Sequence, residues 1–115
     1  MAEKNNLIDI NIIKEMLYGD EEYIREFAGA SIESFSEFSE HFKIYLLARE
    51  MDNLKRAGHK IKPVAQMLHL EPVMETYEHS KQLLEQNAST EDLADQADKM
   101  SDFCNRVIVE FKDLQ

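Results

Sequence analysis

Apolar residues recur every three or four positions along most of the chain, which is the spacing of one face of an α-helix. Glycine, proline and capping side chains interrupt this pattern and divide it into one short helix and four longer ones. The short helix, capped by Asp9 or Asn11 and ending at Gly19, is predicted to cover one end of the others. The longer helices are predicted to run from Asp20 to about residue 47, from about Asp52 to the turn at Leu70, from about residue 71 to Asn87, and from Ser89 or Thr90 to the C-terminus.

The sparse turn-forming residues define the expected fold class. The chain has three glycines, two prolines and few runs in which apolar and polar residues alternate, so β-hairpins have little support. Helices joined by short turns pack as antiparallel neighbours. We therefore predict an all-α fold, an antiparallel up-and-down four-helix bundle with a short N-terminal helix. The length of 115 residues suits a single domain, residues 1–115, with the bundle over about 7–114 and residues 1–6 loosely ordered.

The helical stripes also predict which side chains form the core. Tyr23 is the first of a long series of aromatic and aliphatic residues expected to point inward from the second helix. Cys104 is the only cysteine, so it has no partner for an internal disulfide and is expected to pack in the core. Five methionines are likewise expected to fill gaps in the core: Met16, Met51, Met67, Met74 and Met100.

The charge balance and the absence of long apolar runs narrow the possible partners. Acidic residues outnumber basic ones by 23 to 13, for a formal net charge of -10, whereas nucleic-acid binding requires a large basic face. We therefore expect protein partners and no nucleic acid. No apolar run approaches the roughly 20 residues of a membrane span, and the N-terminus lacks a signal-peptide core. The expected location is the cytoplasm, without membrane attachment.

The third predicted helix carries the most distinctive chemistry. Its apolar and small residues gather on one side when they are plotted at roughly 100° per residue: Leu54, Ala57, Gly58, Ile61, Val64, Ala65 and Leu68. His59 lies on the opposite side, with Lys55, Lys62, Pro63 and Gln66 within about 60° of it. Between Lys55 and Lys62 there are four basic residues in eight and no carboxylate. This arrangement predicts an exposed imidazole in a cationic patch, which suits a transient phosphoryl group.

Pro63 lies within this helical pattern, four residues after His59. A proline there removes the hydrogen bond to the carbonyl of residue 59 and crowds that carbonyl, so we predict a kink at the histidine. The alternative is that Lys62 breaks the helix and Pro63 begins a new one. The stripe that continues in phase through Ala65 and Leu68 favours one helix.

No other pattern in the chain indicates a second site. There is no glycine-rich phosphate loop and no serine or cysteine in a nucleophile motif, which excludes most enzyme classes. His41, His69 and His79 are not spaced three or four residues apart, so no helix presents two imidazoles to one metal. We expect them at surface or rim positions. The lack of paired inward carboxylates or histidines also argues against a metal- or ligand-binding bundle.

The run Ala57-Gly58-His59-Lys60-Ile61-Lys62 resembles the signature of histidine-containing phosphotransfer (HPt) domains of multistep two-component phosphorelays. That signature is a histidine, any residue, an aliphatic residue and a lysine, then usually a glycine and small residues and a later leucine-glycine pair. His59, Ile61 and Lys62 match it, as do the downstream apolar Met67 and Leu68. Pro63 stands where the first glycine is usual, and His69 where the later one is usual. The helix order is similar over about residues 7–114.

The resemblance implies a phosphocarrier rather than a free-standing enzyme. His59 would accept a phosphoryl group from an aspartate of one receiver domain and pass it to another. Lys62 and Lys55 would offset the phosphoryl charge, and Gln66 would hydrogen-bond the imidazole or a phosphate oxygen. The protein would need no cofactor of its own, since the magnesium ion belongs to the receiver domain.

The implied partners are receiver domains of response regulators and hybrid histidine kinases. They would dock on a surface formed by Arg56, Lys60 and Pro63, where the proline, like the family's glycine, leaves a low surface. We expect a monomer, with homodimerisation left open. Met1 and the end at Gln115 favour a complete small protein or a well-trimmed domain, and whether the chain is free-standing or a piece of a hybrid kinase is left open. The alternative function is an adapter that binds receiver or kinase domains without phosphate chemistry, and the departures at Pro63 and His69 favour it.

Overall fold

The regular structure of this protein is entirely helical in the part of the chain that the computed structural model describes, residues 7–115. The prediction of an all-α fold is therefore confirmed. In chain order the helices are α1 (Ile10–Met16), α2 (Glu21–Leu47), α3 (Met51–Met67), α4 (Glu71–Glu85) and α5 (Thr90–Lys112). The loose order predicted for residues 1–6 concerns a segment outside the described residues.

Polar side chains at the predicted positions start three of the helices. Asp9, Asp20 and Ser89 are the N-cap residues of α1, α2 and α5, and each accepts a hydrogen bond from a backbone N–H in the first turn. The donors are Asn11, Glu22 and Asp92, at 2.9, 3.0 and 3.1 Å. These bonds satisfy N–H groups that have no partner within the helix. The structure thus selects Asp9 over Asn11 and Ser89 over Thr90.

Helices α1 to α4 all end with a residue in the left-handed backbone conformation. The φ angles are 56°, 59°, 55° and 55° at Tyr18, Arg49, His69 and Asn87. The next backbone N–H then donates to the carbonyl five residues earlier, as from Leu70 to Ala65 at 2.9 Å. This closure stops the helix and turns the chain sharply, so each connection is short.

The core lies between the four longer helices. Helix α2 packs against α3 and α5, and α4 packs against the same two helices. Within it the rings of Phe35 and Phe111 stack with centroids 6.3 Å apart, and the rings of Phe27 and Phe111 meet edge to face with centroids 5.8 Å apart. Because burial of each large side chain removes apolar surface from water, this cluster supplies much of the stability of the fold.

Two predicted core residues are at the surface instead. Tyr23 is 58% exposed, and Met67 is 38% exposed. Tyr23 directly precedes the buried Ile24, so its side chain leaves α2 about 100° around the helix from the buried stripe. Met67 follows the buried Ile61 by six residues, which rotates it by about 120° from that stripe. Of the other methionines, Met100 is fully buried and the remaining three are partly buried.

Cys104 is fully buried in the core, as predicted. Burial raises the pKa of its thiol to about 12, and a hydrogen bond with Ser39 opposes this effect only in part. In the unfolded chain a cysteine loses its proton near pH 8.5. At alkaline pH the folded protein therefore holds a proton that the unfolded chain has released, and this difference favours unfolding as the pH rises.

We predict that the free energy of unfolding falls between about pH 8 and pH 10.5, and that Cys104→Ala reduces the fall by about 2 kcal/mol. Burial also raises the pKa of Tyr77, so the variant should keep part of the pH dependence. The measurement is urea denaturation followed by circular dichroism at both pH values. An equal fall in the two proteins would show that Cys104 is not responsible.

Candidate functional site

His59 lies on the exposed side of α3, directly opposite the part of the helix that enters the core. Leu54, Gly58, Ile61 and Ala65 are buried on the inner side, so the predicted division of this helix is confirmed. All the other residues proposed for the site are exposed: Lys55, Arg56, Lys60, Lys62, Pro63 and Gln66. A group that approaches α3 from solvent therefore meets the imidazole and its basic neighbours together.

The basic residues around His59 differ in their partners. Lys60 Nζ lies 2.7 Å from Oε1 of Glu37, a residue of α2. Within residues 7–115 no carboxylate lies at ion-pair distance from Lys55, Arg56 or Lys62. The sequence showed no carboxylate between Lys55 and Lys62, but the fold brings one beside this segment. The cationic patch is thus partly neutralised at Lys60.

Glu37 stands at the boundary between α2 and α3. The hydrogen bond and the charge of Lys60 lower the pKa of the Glu37 carboxyl below its usual value. Nδ1 of His41 lies 3.8 Å from the same carboxylate oxygen, one turn along α2. Both residues line a small cleft together with Ser34, Phe38, Ala57, Lys60 and Ile61. The surface beside His59 is therefore built from two helices.

Gly58, which precedes His59, lies against Tyr77 of α4. A Cβ atom at this position would overlap Cζ, Oη and Cε1 of Tyr77, so the phenol ring occupies the space that any other residue would need. Tyr77 is buried, and its hydroxyl has no hydrogen-bond partner within the described residues. Lys81 Nζ lies 4.8 Å from the ring centroid. Tyr77 thus limits how closely α3 packs on α4 at the residue next to His59.

Pro63 lies inside one continuous helix, since α3 extends from Met51 to Met67. The alternative that Pro63 begins a new helix is therefore wrong. Because proline has no N–H, the carbonyl of His59 lacks its usual helical partner. The kink predicted at this position stays a prediction.

His69 occupies the position at which glycine is usual in the HPt signature. Its φ of 55° is in the left-handed region that glycine adopts without steric cost. The departure from the family's pattern is thus one of residue type, while the backbone has the conformation that a glycine would favour. The exposed imidazole of His69 borders a cleft with Gln66, Leu70 and Glu71 at the end of α3.

The remaining sequence predictions concern Gln66, the other histidines and metals. No hydrogen bond joins Gln66 to His59 in the described part of the chain, so its proposed contact stays a prediction. His41 is half-buried and His69 and His79 are exposed, which confirms the rim and surface positions.

Residues 7–115 contain no group of three or more histidine, cysteine or acidic side chains placed to hold a metal. Over the same residues no helix has the length and apolarity of a membrane span.

Sequence reasoning placed Tyr77 in the core but missed its contact with Gly58, and it missed Glu37 altogether. Helical periodicity places Glu37 on a flank of α2 and Tyr77 on the inner side of α4, but it does not show which helix each flank meets. The one local signal was Gly58 in the middle of a helix, because a glycine there often marks close contact with another element.

Comparisons of the chain with family models, with curated proteins and with solved structures found no match. The function is therefore argued from the residues and geometry of α3 and its neighbours.

Proposed function

We propose that this protein is a histidine-containing phosphotransfer protein of a multistep phosphorelay and that His59 accepts the phosphoryl group. The observation that carries the proposal is an exposed histidine on the outer side of a core helix, with Lys55, Arg56 and Lys62 also exposed and without a carboxylate partner in the described range. This arrangement combines access with positive charge, and phosphoryl transfer depends mainly on positioning and charge stabilisation.

The proposed fold is an antiparallel up-and-down four-helix bundle with α1 at one end, in a single domain. Short connections and the packing of α2 and α4 each against both α3 and α5 support it. In such a bundle α3 is held along two sides by its neighbours and keeps a third side open. A rigid helix is a precise platform for an acceptor, since its side-chain positions change little when a partner docks.

In the proposed reaction a nitrogen of neutral His59 attacks the phosphorus of an aspartyl phosphate on a receiver domain. An N–P bond forms, the P–O bond breaks, and the receiver regains its carboxylate. A second receiver's aspartate then reverses these changes. Lys62 and Lys55 offset the phosphoryl charge, and Gln66 hydrogen-bonds the ring or a phosphate oxygen. A magnesium ion held by the receiver domain would supply the remaining charge stabilisation. In this proposal the protein is a carrier rather than an enzyme, since the partner domain provides the rest of the chemistry.

The proposed partners are receiver domains of response regulators and hybrid kinases. We propose that the protein is a monomer and that it acts in the cytoplasm. Arg56, Lys60 and Pro63 form the docking surface. The acidic pocket in which a receiver holds its magnesium ion complements this basic helix, although the whole chain has a net charge of -10. In this proposal the local positive charge of α3, rather than the net charge of the protein, orients the receiver domain as it binds.

A phosphoryl-transfer assay tests the acceptor role. The protein is incubated with phosphorylated receiver domains from the same organism, and intact mass and acid lability report the product. We expect one acid-labile phosphoryl group on the wild type and none on His59→Gln. His79→Gln, which alters an exposed histidine on α4, is the matched control and should behave as wild type.

An adapter without phosphate chemistry is the second candidate, and Pro63 within α3 is the observation that favours it. An adapter would bind the receivers through the same surface and tolerate His59→Gln. If several receivers bind but transfer no phosphoryl group to the wild type, the adapter function replaces the carrier function.

A further inference from the structure

The ion pair between Lys60 and Glu37 reduces the positive charge on the exposed side of α3. Lys60 follows His59 directly, and its side chain leaves α3 about 100° around the helix from the imidazole. At that angle it meets α2, where Glu37 Oε1 lies 2.7 Å from the ammonium. The lysine nearest to His59 in sequence, Lys60, is therefore the one that is paired with a carboxylate of α2.

The two partners of this pair are accessible to solvent, with 73% of the Lys60 side chain and 44% of the Glu37 side chain exposed. Exposed ion pairs are weak, because water and salt screen both charges. Glu37 thus biases the position of Lys60 without locking it. An anion near His59 can compete with Glu37 for the lysine.

The neighbouring cations have no such constraint. Within residues 7–115 no carboxylate reaches Lys55, Arg56 or Lys62. Glu37 consequently lowers the formal charge of the set formed by these residues and Lys60 from four to three. Since opposite charges attract over about 10 Å at moderate salt, this difference alters how strongly the face attracts an anion.

We propose that Glu37 limits the reactivity of the phosphoacceptor face towards anionic phosphoryl donors by holding Lys60 away from His59. The inference rests on the proposed acceptor function of His59. Glu37 acts through Lys60 and does not touch the reacting atoms, so it is a positioning residue. Because Glu37 lies on α2, a substitution of Glu37 changes the charge beside His59 without changing any residue of α3.

Phosphoramidate is a suitable probe because it is an anionic donor that requires no protein partner. A lone pair of the imidazole attacks phosphorus, the N–P bond of the donor breaks, and its protonated amino group leaves as ammonia. One nitrogen of the imidazole gains the phosphoryl group, and the other nitrogen of the same ring releases a proton to solvent. The rate constant is measured by intact mass over time, at low and at high ionic strength.

We expect Glu37→Gln to react about two-fold faster than wild type at about 10 mM salt, and the gain to vanish at about 0.5 M salt. Glu33→Gln is the matched control, because Glu33 is an exposed carboxylate one turn earlier on α2 and does not pair with Lys60. It removes the same charge but should give less than half of the gain.

Lysine substitutions separate release of Lys60 from a general change in charge. In the wild-type background Lys60→Gln should slow the reaction less than Lys62→Gln does, because Lys60 is engaged by Glu37. In the Glu37→Gln background Lys60→Gln should remove the entire gain. This double-mutant cycle isolates the coupling between the two residues.

The possible failures are distinguishable. If His59 of the wild type acquires a phosphoryl group but Glu37→Gln reacts no faster than Glu33→Gln, the role of Glu37 is wrong and the acceptor function stands. The same conclusion follows if Lys60→Gln slows the wild type as much as Lys62→Gln. If the wild type acquires no phosphoryl group that depends on His59, the acceptor function and the role of Glu37 are both overturned.

Discussion

Replacing Gly58 with alanine is expected to destabilise the protein by about 1–3 kcal/mol, the usual cost of overpacking a core. In an ordinary helical position the same change stabilises by about 1 kcal/mol, since alanine has the higher helix propensity. The sign reverses here because the new Cβ would overlap the ring of Tyr77. That ring is buried and so has little room to move. Chemical denaturation with circular dichroism measures the effect.

Gly29→Ala provides a matched control within the same protein. Gly29 also lies inside a long helix, but a Cβ atom there would meet only the amide nitrogen of the Gln115 side chain, at 3.1 Å. The end of a flexible side chain can move aside, so this variant should be as stable as wild type or more stable by up to about 1 kcal/mol. Equal effects of the two substitutions would contradict the role of the Gly58–Tyr77 contact.

A second substitution tests whether Tyr77 causes the loss. Tyr77→Ala alone should destabilise by a few kcal/mol, because it leaves a cavity. In combination with Gly58→Ala the losses should not add, since the smaller residue makes room for the new Cβ. Additive losses would mean that alanine at Gly58 disturbs something other than Tyr77. Any shift of α3 against α4 would also displace His59, so under the proposed acceptor function the rate of phosphoryl transfer should fall with stability in the Gly58→Ala variant.

Glu110→Ala is expected to release residues 7–9, the described segment before α1, and to destabilise its docking by about 2–4 kcal/mol. The two carboxylate oxygens of Glu110, on α5, accept hydrogen bonds from the backbone N–H groups of Leu7 and Ile8, each at 2.9 Å. Bonds to a charged acceptor are stronger than neutral ones, and both donors would lose their partner. Ile8, which is buried, is held in the core partly by this anchor.

Hydrogen exchange of the Leu7 and Ile8 amides is the direct measurement, and both should exchange faster by a factor of ten or more. Asp98→Ala, which removes an exposed carboxylate from α5, is the control and should leave both amides protected. Glu110→Gln should have an intermediate effect, because its amide oxygen can accept one of the two bonds. Unchanged protection in Glu110→Ala would show that packing of Ile8 alone holds the segment.

Much of the helical layout was predictable because its causes are local. Asp20 was predicted to cap α2 and does so, since a cap and the N–H group that it satisfies are within three residues. The exposed position of His59 followed from the stripe on its own helix. Tyr23 was misplaced because it lies on the flank of α2 beside the buried Ile24, and the pattern of α2 alone does not show whether another helix covers that flank.

The amino-acid sequence by itself determined the helices, the Asp20 cap of α2, the inner side of α3 and the basic neighbours of His59, because all of these depend on residues within a few turns of one another. Only the tertiary structure decided which of the lysines is paired, why Gly58 must lack a side chain and what anchors the segment before α1. Those properties arise from Glu37, Tyr77 and Glu110, which meet their partners across helix boundaries. Helical periodicity places a residue on a side of its own helix, but contact with another helix depends on how the whole core packs.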